Sequence, residues 1–205
     1  MTERNDSTLK KTRGPFEGKG AVLLDRDGVI SQQTAFVNEP DDLKLIDGAA
    51  TAIARLNHAG WPVAIITNQG GIGMGYLTEA MLEKIHERLE QVLARDGAHL
   101  DAIYYCPHMA DAKLTEYRND CCCRKPGTGM LESAHAELGI DLSRSIVVGD
   151  RTTDILAGQT VGCATILVQT GSAGEDGKAD VTPDHVVSDL SAAVELILER
   201  FTPEA

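Results

Sequence analysis

Asp25-Arg26-Asp27-Gly28 sets two carboxylates two residues apart. Acids spaced this way across a turn can divide labour, one attacking an electrophile and the other moving protons. Their oxygens also suit Mg²⁺, which prefers hard oxygen ligands and keeps several of its waters. Taken alone, the tetrapeptide reads equally well as a solvated acidic turn. Further polar groups recur along the chain: Thr67-Asn68 supply a hydroxyl and an amide, Arg124-Lys125-Pro126 two adjacent cations, and Gly149-Asp150 another acid, with Asp154 four residues on. Acids brought together can share one cation, while a hydroxyl and a lysine donate to phosphoryl oxygens. Phosphoryl transfer asks for little more, because its catalysis is largely positioning plus charge stabilisation.

Cys106-Pro107-His108 and Cys121-Cys122-Cys123 form a second set, spaced C-x-H…C-x-C. Two pairs of soft ligands separated by a loop suit a closed tetrahedral zinc site. Alternate residues of an extended segment point the same way. Cys106, His108, Cys121 and Cys123 are therefore the expected ligands, with Cys122 a free thiol facing away. Four protein ligands leave no open coordination position, so the expected role is structural. Arg124 and Lys125 follow the last ligand directly, so a metal there would also set where those cations point. The plainer alternative is a loop packed with reduced cysteines. Cys163, in a helix-to-strand connection, is expected in the core.

These groups can act together only if the fold gathers them. Apolar runs alternate with helical patterns, which predicts β-α-β units and a mainly parallel sheet. Strands are expected over 21–25, 61–67, 103–105, 145–150, 165–168 and 185–187. Helices are expected over 49–58, from an N-cap at Thr78, over 129–138 and 153–161, and from about 190. Met81, Leu82, Ile85, Leu89, Val92 and Leu93 repeat at helical spacing, as a core-facing stripe does. Asp25, Thr67 and Asp150 then stand at strand ends, and open α/β sheets bind ligands in the crevice beyond the carboxyl ends of their strands. Residues 106–126 show no periodicity over 21 positions. A stretch that long in a compact domain is either disordered or fastened by something. A Gly-rich loop spans 171–178.

The length of 205 residues fits one domain, large enough to bury a core without disulfides. The net charge of −12 argues against a nucleic-acid partner, which requires a basic surface, and gives no help at an anionic membrane. Residues 1–18 are polar and lack the apolar segment of a signal peptide, and no later run is long enough to span a bilayer. The expectation is a cytoplasmic monomer, with a flexible extension over 1–18, a domain over 19–205 and reduced cysteines.

The order DRDG, TNQ, RKP and GDRTTD, over roughly residues 20–190, resembles the four motifs of the haloacid dehalogenase (HAD) superfamily. The resemblance implies a single Rossmann-like α/β domain and an enzyme, a phosphoric monoester hydrolase working through a phospho-aspartate. Asp25 would be the nucleophile and Asp27 the general acid and then base, with Thr67 and Lys125 holding the phosphoryl oxygens. Mg²⁺ would be held by the Asp25 carboxylate, the Asp27 backbone carbonyl and Asp150. Asp154 would either orient a neighbour or serve as a helix-start acid. Val29 stands where the superfamily usually has threonine.

CPH…CxCRKP within this pattern is similar to a narrower family, that of the histidinol-phosphate phosphatases and the D-glycero-D-manno-heptose 1,7-bisphosphate 7-phosphatases. These lack a large cap domain, and a zinc-stapled loop, 106–125 here, serves as a partial lid. The 14 residues between Cys106 and Cys121, with IDGAATAIARLNHAG and YYCPH, look more like the heptose branch. The implied partner is a small phosphorylated sugar, heptose bisphosphate first, with histidinol phosphate or another small sugar phosphate as the alternative. Gln33, Thr34, Ala35, Phe36, Asn68, Gln69, Gly70, Arg124 and Arg151 match the family's substrate contacts. Arg124 offers a fork of donors that fits a second phosphate. Met74 stands where these enzymes often have arginine, Arg151 where lysine is common, and Thr34-Ala35-Phe36-Val37 where a Gly-Tyr-Val segment is usual. Two other readings fit less well. A nucleic-acid 3′-phosphatase conflicts with the charge, and a silent binding module has no need of Asp27.

Overall fold

Val22–Leu24 (β1), Val63–Asn68 (β2), Ala102–Cys106 (β3), Ile146–Gly149 (β4), Ala164–Val168 (β5) and His185–Val187 (β6) pair side by side in the order β3-β2-β1-β4-β5-β6. Every pairing is parallel. The structure, a computed structural model, describes residues 14–33 and 37–204. Among these, the helices are Ala49–His58 (α1), Glu79–Arg95 (α2), Gly129–Leu138 (α3), Thr152–Thr160 (α4) and Leu190–Arg200 (α5).

The central strands are short and apolar because both faces of the sheet are covered, so continuous rather than alternating hydrophobicity is required. Successive side chains still point to opposite faces. Val22, Leu24, Ile65 and Val148 pack with Ile53 and Leu56 of α1 and Val194 and Ile197 of α5. Leu23, Ala64, Ile66 and Val147 pack on the other face with Leu131 and Ala134 of α3 and Ala157 of α4. Cys163 lies in this second core, as expected. Local signals place the helices. The Thr78 hydroxyl accepts from Met81 N at 3.2 Å to start α2, and Gly139, at φ 77°, ends α3 in a left-handed conformation.

The chain runs outward from β1 through β2 to β3, then returns to lay β4 against the other side of β1. That reversal opens a crevice beyond the ends of β1 and β4. The register sets Leu24 beside both Ile65 and Val148, so Asp25, Thr67 and Asp150 emerge around one point.

The aperiodic stretch is fastened. It contains one turn of 3-10 helix, Thr115–Tyr117, and Leu114 N donates to Gly73 O at 3.0 Å. The Tyr105 and Tyr117 hydroxyls both donate to the Glu79 carboxylate at the start of α2, at 3.0 and 2.9 Å. Apart from this turn and two others, Pro40–Asp42 and Leu142–Arg144, no regular element among the described residues lies outside the sheet and its five helices, in keeping with the absence of a large cap. Of the extension expected over 1–18, residues 1–13 lie outside the described residues. Phe16 N donates to Leu138 O at 2.9 Å and Gly18 N to Gly139 O at 3.0 Å, so residues 14–18 are bound to the end of α3. Among the described residues no helix is long and apolar enough to cross a membrane.

The Glu79 clamp makes a local prediction. Glu79→Ala removes one acceptor from two tyrosines and should lower global stability by only about 1 kcal/mol. Tryptic cleavage at Lys113 should accelerate by about tenfold or more; an unchanged cleavage rate would show that the clamp does not hold the loop.

Candidate active site

Asp25 follows β1 directly and is tied to the neighbouring strand by its backbone N–H, 2.9 Å from Val148 O. Its Oδ1 accepts from Arg26 N at 2.8 Å and lies 3.0 Å from the Lys125 ammonium. Lys125 is 3% exposed. Its Nζ donates to Ile66 O at 2.6 Å and forms a second ion pair, 2.7 Å from Asp154 Oδ1. Asn68, the last residue of β2, brackets the Lys125 backbone: Oδ1 accepts from Lys125 N at 3.0 Å and Nδ2 donates to Lys125 O at 3.1 Å. The lysine is thereby aimed by a strand end rather than by its own loop. Asp154 also accepts from Arg151 N at 3.0 Å at the start of α4, so it both orients Lys125 and serves as a helix-start acid.

Burial disfavours the charge on Lys125, but Asp154 and Asp25 outweigh it and hold the ammonium above its usual range. Asp25 is pushed up to about 7, by burial first and then by Asp154, Asp150 and Asp27, against the opposing pull of Lys125. Asp150 is pushed up to about 6, by burial and by Asp154, despite the bond from Ser172 N. Carboxylate oxygens of Asp25, Asp150 and Asp154 lie within 4.8 Å of one another. Asp150 is fully buried, and its Oδ1 has no hydrogen-bond partner. Gly28, at φ +90°, and Gly171, at φ +63°, close over this group, and a Cβ on either would run into Asp150 Oδ2. Hard oxygen donors, one unpaired buried oxygen and a glycine-walled cradle fit a divalent cation of the magnesium type.

The Asp27 carboxylate is caged. Arg26 donates to it twice, Nε at 3.0 Å and Nη2 at 2.8 Å, and Ser31 Oγ and Gln69 Nε2 each donate at 3.0 Å. Burial opposes its ionisation, but the Arg26 charge and the bonds from Arg26, Gln69 and Ser31 win and hold it below the usual carboxylate range. Gln69 Nε2 also reaches Thr67 Oγ1 at 2.9 Å. Arg26 Nη1 contacts His86 Nε2 on α2 at 3.3 Å. Burial and then the Arg26 charge push His86 down to about 4, against the attraction of Asp27. Sequence reasoning passed over Arg26 and His86. A signal existed, since His86 falls on the same helical face as Leu82, Leu89 and Leu93, an odd place for a polar ring.

A cavity of about 790 Å³ opens above these groups. Gln33, Asn68, Gln69, Gly70, Arg124 and Arg151 all line it. Thr34, Ala35 and Phe36 lie outside the described residues. The Asn68 and Gln69 side chains face inward, onto Lys125 and onto Asp27 and Thr67. Arg124 is steered by the cysteine loop, its Nη1 donating to His108 O at 3.0 Å. Gln33 and Ser172 meet at 3.3 Å on the rim. Met74 lines the same cavity.

Beside it, Cys106, His108, Cys121 and Cys123 converge, as the alternation predicts. Cys106 Sγ is 3.5 Å from Cys121 Sγ, 3.0 Å from Cys123 Sγ and 3.7 Å from His108 Nδ1, which is 3.4 Å from Cys123 Sγ. The sulfurs are unpaired thiols, and Cys122 is exposed, apart from the cluster. Cys121 and Cys123 Sγ are 3.2 Å apart; three thiols and an imidazole nitrogen are the donor chemistry of a closed tetrahedral zinc site, whose bonds of about 2.3 Å would spread these sulfurs to about 3.8 Å.

The chain matches the HAD-hydrolase-like family over residues 122–193. It is 41% identical over 191 residues to the D-glycero-D-manno-heptose-1,7-bisphosphate 7-phosphatase of Thermosynechococcus vestitus, covering 89% of this chain and 97% of the relative. To the D-glycero-beta-D-manno-heptose-1,7-bisphosphate 7-phosphatase of Escherichia coli it is 38% identical over 184 residues, covering 89% and 96%. The crystal structure of the D,D-heptose 1,7-bisphosphate phosphatase of B. bronchiseptica, complexed with magnesium and phosphate, superposes with a TM-score of 0.79 at 38% identity, over 88% of this chain and 98% of that one. With the HAD fold, the strand-end acids and this likeness over nearly its whole length, the chain belongs to the D-glycero-D-manno-heptose-1,7-bisphosphate 7-phosphatase family of HAD-like phosphatases.

Proposed function

We propose that the protein hydrolyses the 7-phosphate of D-glycero-D-manno-heptose 1,7-bisphosphate, in a magnesium-dependent reaction through an aspartyl-phosphate on Asp25. The observation that carries this reading is the convergence of Asp25, Asp27, Thr67 and Lys125 on a single cavity, with the buried carboxylate of Asp150 beside that of Asp25. Both donors to the Asp25 carboxylate fall on Oδ1, which fixes its plane and leaves the other oxygen to attack phosphorus. As the Asp25–phosphorus bond forms and the bond to the sugar oxygen breaks, Asp27 passes a proton to that oxygen. Asp27 then takes a proton from the water that cleaves the phospho-aspartate and regenerates Asp25. At rest the Arg26 cage keeps Asp27 ionised; a phosphate dianion alongside opposes that ionisation and favours its protonation. Thr67 Oγ1 supplies a donor to the phosphoryl oxygens, and the Lys125 ammonium, whose three N–H groups face Ile66 O, Asp154 and Asp25, would supply a second by exchanging its longest contact, the one to Asp25, for a phosphoryl oxygen.

Asp25, the Asp27 backbone carbonyl and Asp150 would hold Mg²⁺. When bound, it would offset the repulsion between the Asp25 carboxylate and the phosphate dianion. Cys106, His108, Cys121 and Cys123 would hold a structural Zn²⁺ that joins the two ends of the loop. Arg124 and Arg151, with the Gln33 rim and residues 34–36, would grip the sugar and its second phosphate. A monomer in the cytoplasm belongs to the same reading, supported by a site assembled from one chain and by free cysteines, as a reducing compartment favours.

Phosphate release in Mg²⁺ should be fastest on heptose 1,7-bisphosphate, with histidinol phosphate and a 3′-phosphorylated oligonucleotide at least about tenfold slower in kcat/KM. Equal, slow rates on all three would remove the heptose assignment. Asp25→Asn should lower kcat by at least about 10³-fold, and full activity in that variant would remove the phospho-aspartate. Gly28→Ala sets a methyl against Asp150 Oδ2 and should cost about 100-fold; wild-type magnesium dependence in this variant would place the cation elsewhere. Elemental analysis of freshly reduced protein should return about one zinc per chain, and none would leave the cluster a set of packed thiols.

A further inference from the structure

We propose that His86, on α2, is a positioning residue that aims the general acid Asp27 through Arg26. The inference rests on the acid–base role given to Asp27 above.

Arg26 stands between the two acids in sequence, yet it is 1% exposed beside an open cavity. A buried guanidinium is costly unless every donor face is answered. Two of its nitrogens are answered by Asp27 in a forked pair, which fixes the plane of that carboxylate. The third, Nη1, meets His86 Nε2. A guanidinium can only donate, so the ring nitrogen facing it must accept and the ring is neutral with its proton on Nδ1. His86 is therefore the fixed stop at the far side of the guanidinium.

That stop is well anchored. Leu82, Leu89 and Leu93 on the same face of α2 are fully buried. The Tyr105 ring leans on the imidazole at a centroid distance of 6.1 Å, and Tyr105 is itself tied to Glu79 on α2. The orientation of Asp27 thus depends on a helix that contributes no group to the reacting atoms. Without an acceptor at position 86, Nη1 is left unsatisfied in a buried site. The guanidinium then turns toward another partner and carries the Asp27 carboxylate with it.

Proton delivery matters most when the departing oxygen is a poor leaving group, so the test compares two esters. His86→Leu keeps the bulk and removes the acceptor; His86→Gln keeps an acceptor. Kinetics would be measured on heptose 1,7-bisphosphate and on p-nitrophenyl phosphate, whose leaving group needs no proton. His86→Leu should lose about tenfold or more in kcat/KM on the sugar phosphate and little in kcat/KM on the nitrophenyl ester, because kcat/KM covers only the steps up to departure of the leaving group and so excludes the later hydrolysis, shared by both esters, in which Asp27 is the base. His86→Gln should recover most of the sugar-phosphate rate. A leucine variant within about twofold of wild type on the sugar phosphate overturns the proposal, and so does an equal loss on both esters or a glutamine variant as impaired as leucine. If the leucine variant does not fold, the glutamine variant carries the test: its ratio of rates on the two esters should match wild type, and a shifted ratio overturns the proposal. Asp27→Asn in the same assays separates the two levels. If that change leaves the sugar-phosphate rate intact, the acid–base role itself fails. If it is impaired while His86→Leu is not, only the positioning by His86 fails.

Discussion

The Lys125 ammonium is the group on which the site's charge balance depends. Four carboxylates, Asp25, Asp27, Asp150 and Asp154, sit in or beside one buried crevice, and mutual repulsion alone would drive them to protonate or apart. Lys125 lies between Asp25 and Asp154, at 3.0 and 2.7 Å. The favourable field of those two acids more than compensates its own burial. Its direction is set by Asn68 on its backbone and by Ile66 O on its ammonium. One cation thus links the ends of β1 and β2 to the start of α4.

The two acids of DRDG are separated by environment rather than by residue type. Asp25 is raised to about 7 by burial first and by the carboxylates around it, while Asp27 is enclosed by donors and is lowered. A cation held by Asp25 and Asp150 would oppose the first shift, since a nearby positive charge favours the ionised carboxylate. A phosphate dianion beside Asp27 opposes the second. On the proposed mechanism, each acid would reach its working protonation state only with the ligands in place.

The long loop shows a similar division of work. Cys106 ends β3 and Cys121 and Cys123 precede Arg124, so a metal among them would join a strand end to a cation of the cavity. Glu79 secures the other side of the loop through Tyr105 and Tyr117. With that metal bound, a segment with little secondary structure of its own would be held at two points, which would let it line a cavity without the bulk of a second domain.

The order of strands and helices was readable from sequence because a sheet covered on both faces imposes continuous apolar runs, and because Thr78 and Gly139 mark helix ends in local chemistry. Asp25, Thr67 and Asp150 were readable for a related reason: a parallel sheet brings all its carboxyl ends to one edge. The cysteine set followed from the two-residue alternation of extended chain. Other features depend on distances between remote segments, and no local pattern encodes those. Asn68 and Gln69 read as contacts for substrate, yet their side chains turn inward to Lys125, Thr67 and Asp27. The helical stripe of α2 read as packing alone, while His86 within it answers a buried guanidinium from the loop after β1. Sequence alone determined which chemical groups stand at the strand ends. Only the tertiary structure decided which of them pair with one another, because the fields and hydrogen bonds that set their protonation act across space between elements far apart in the chain.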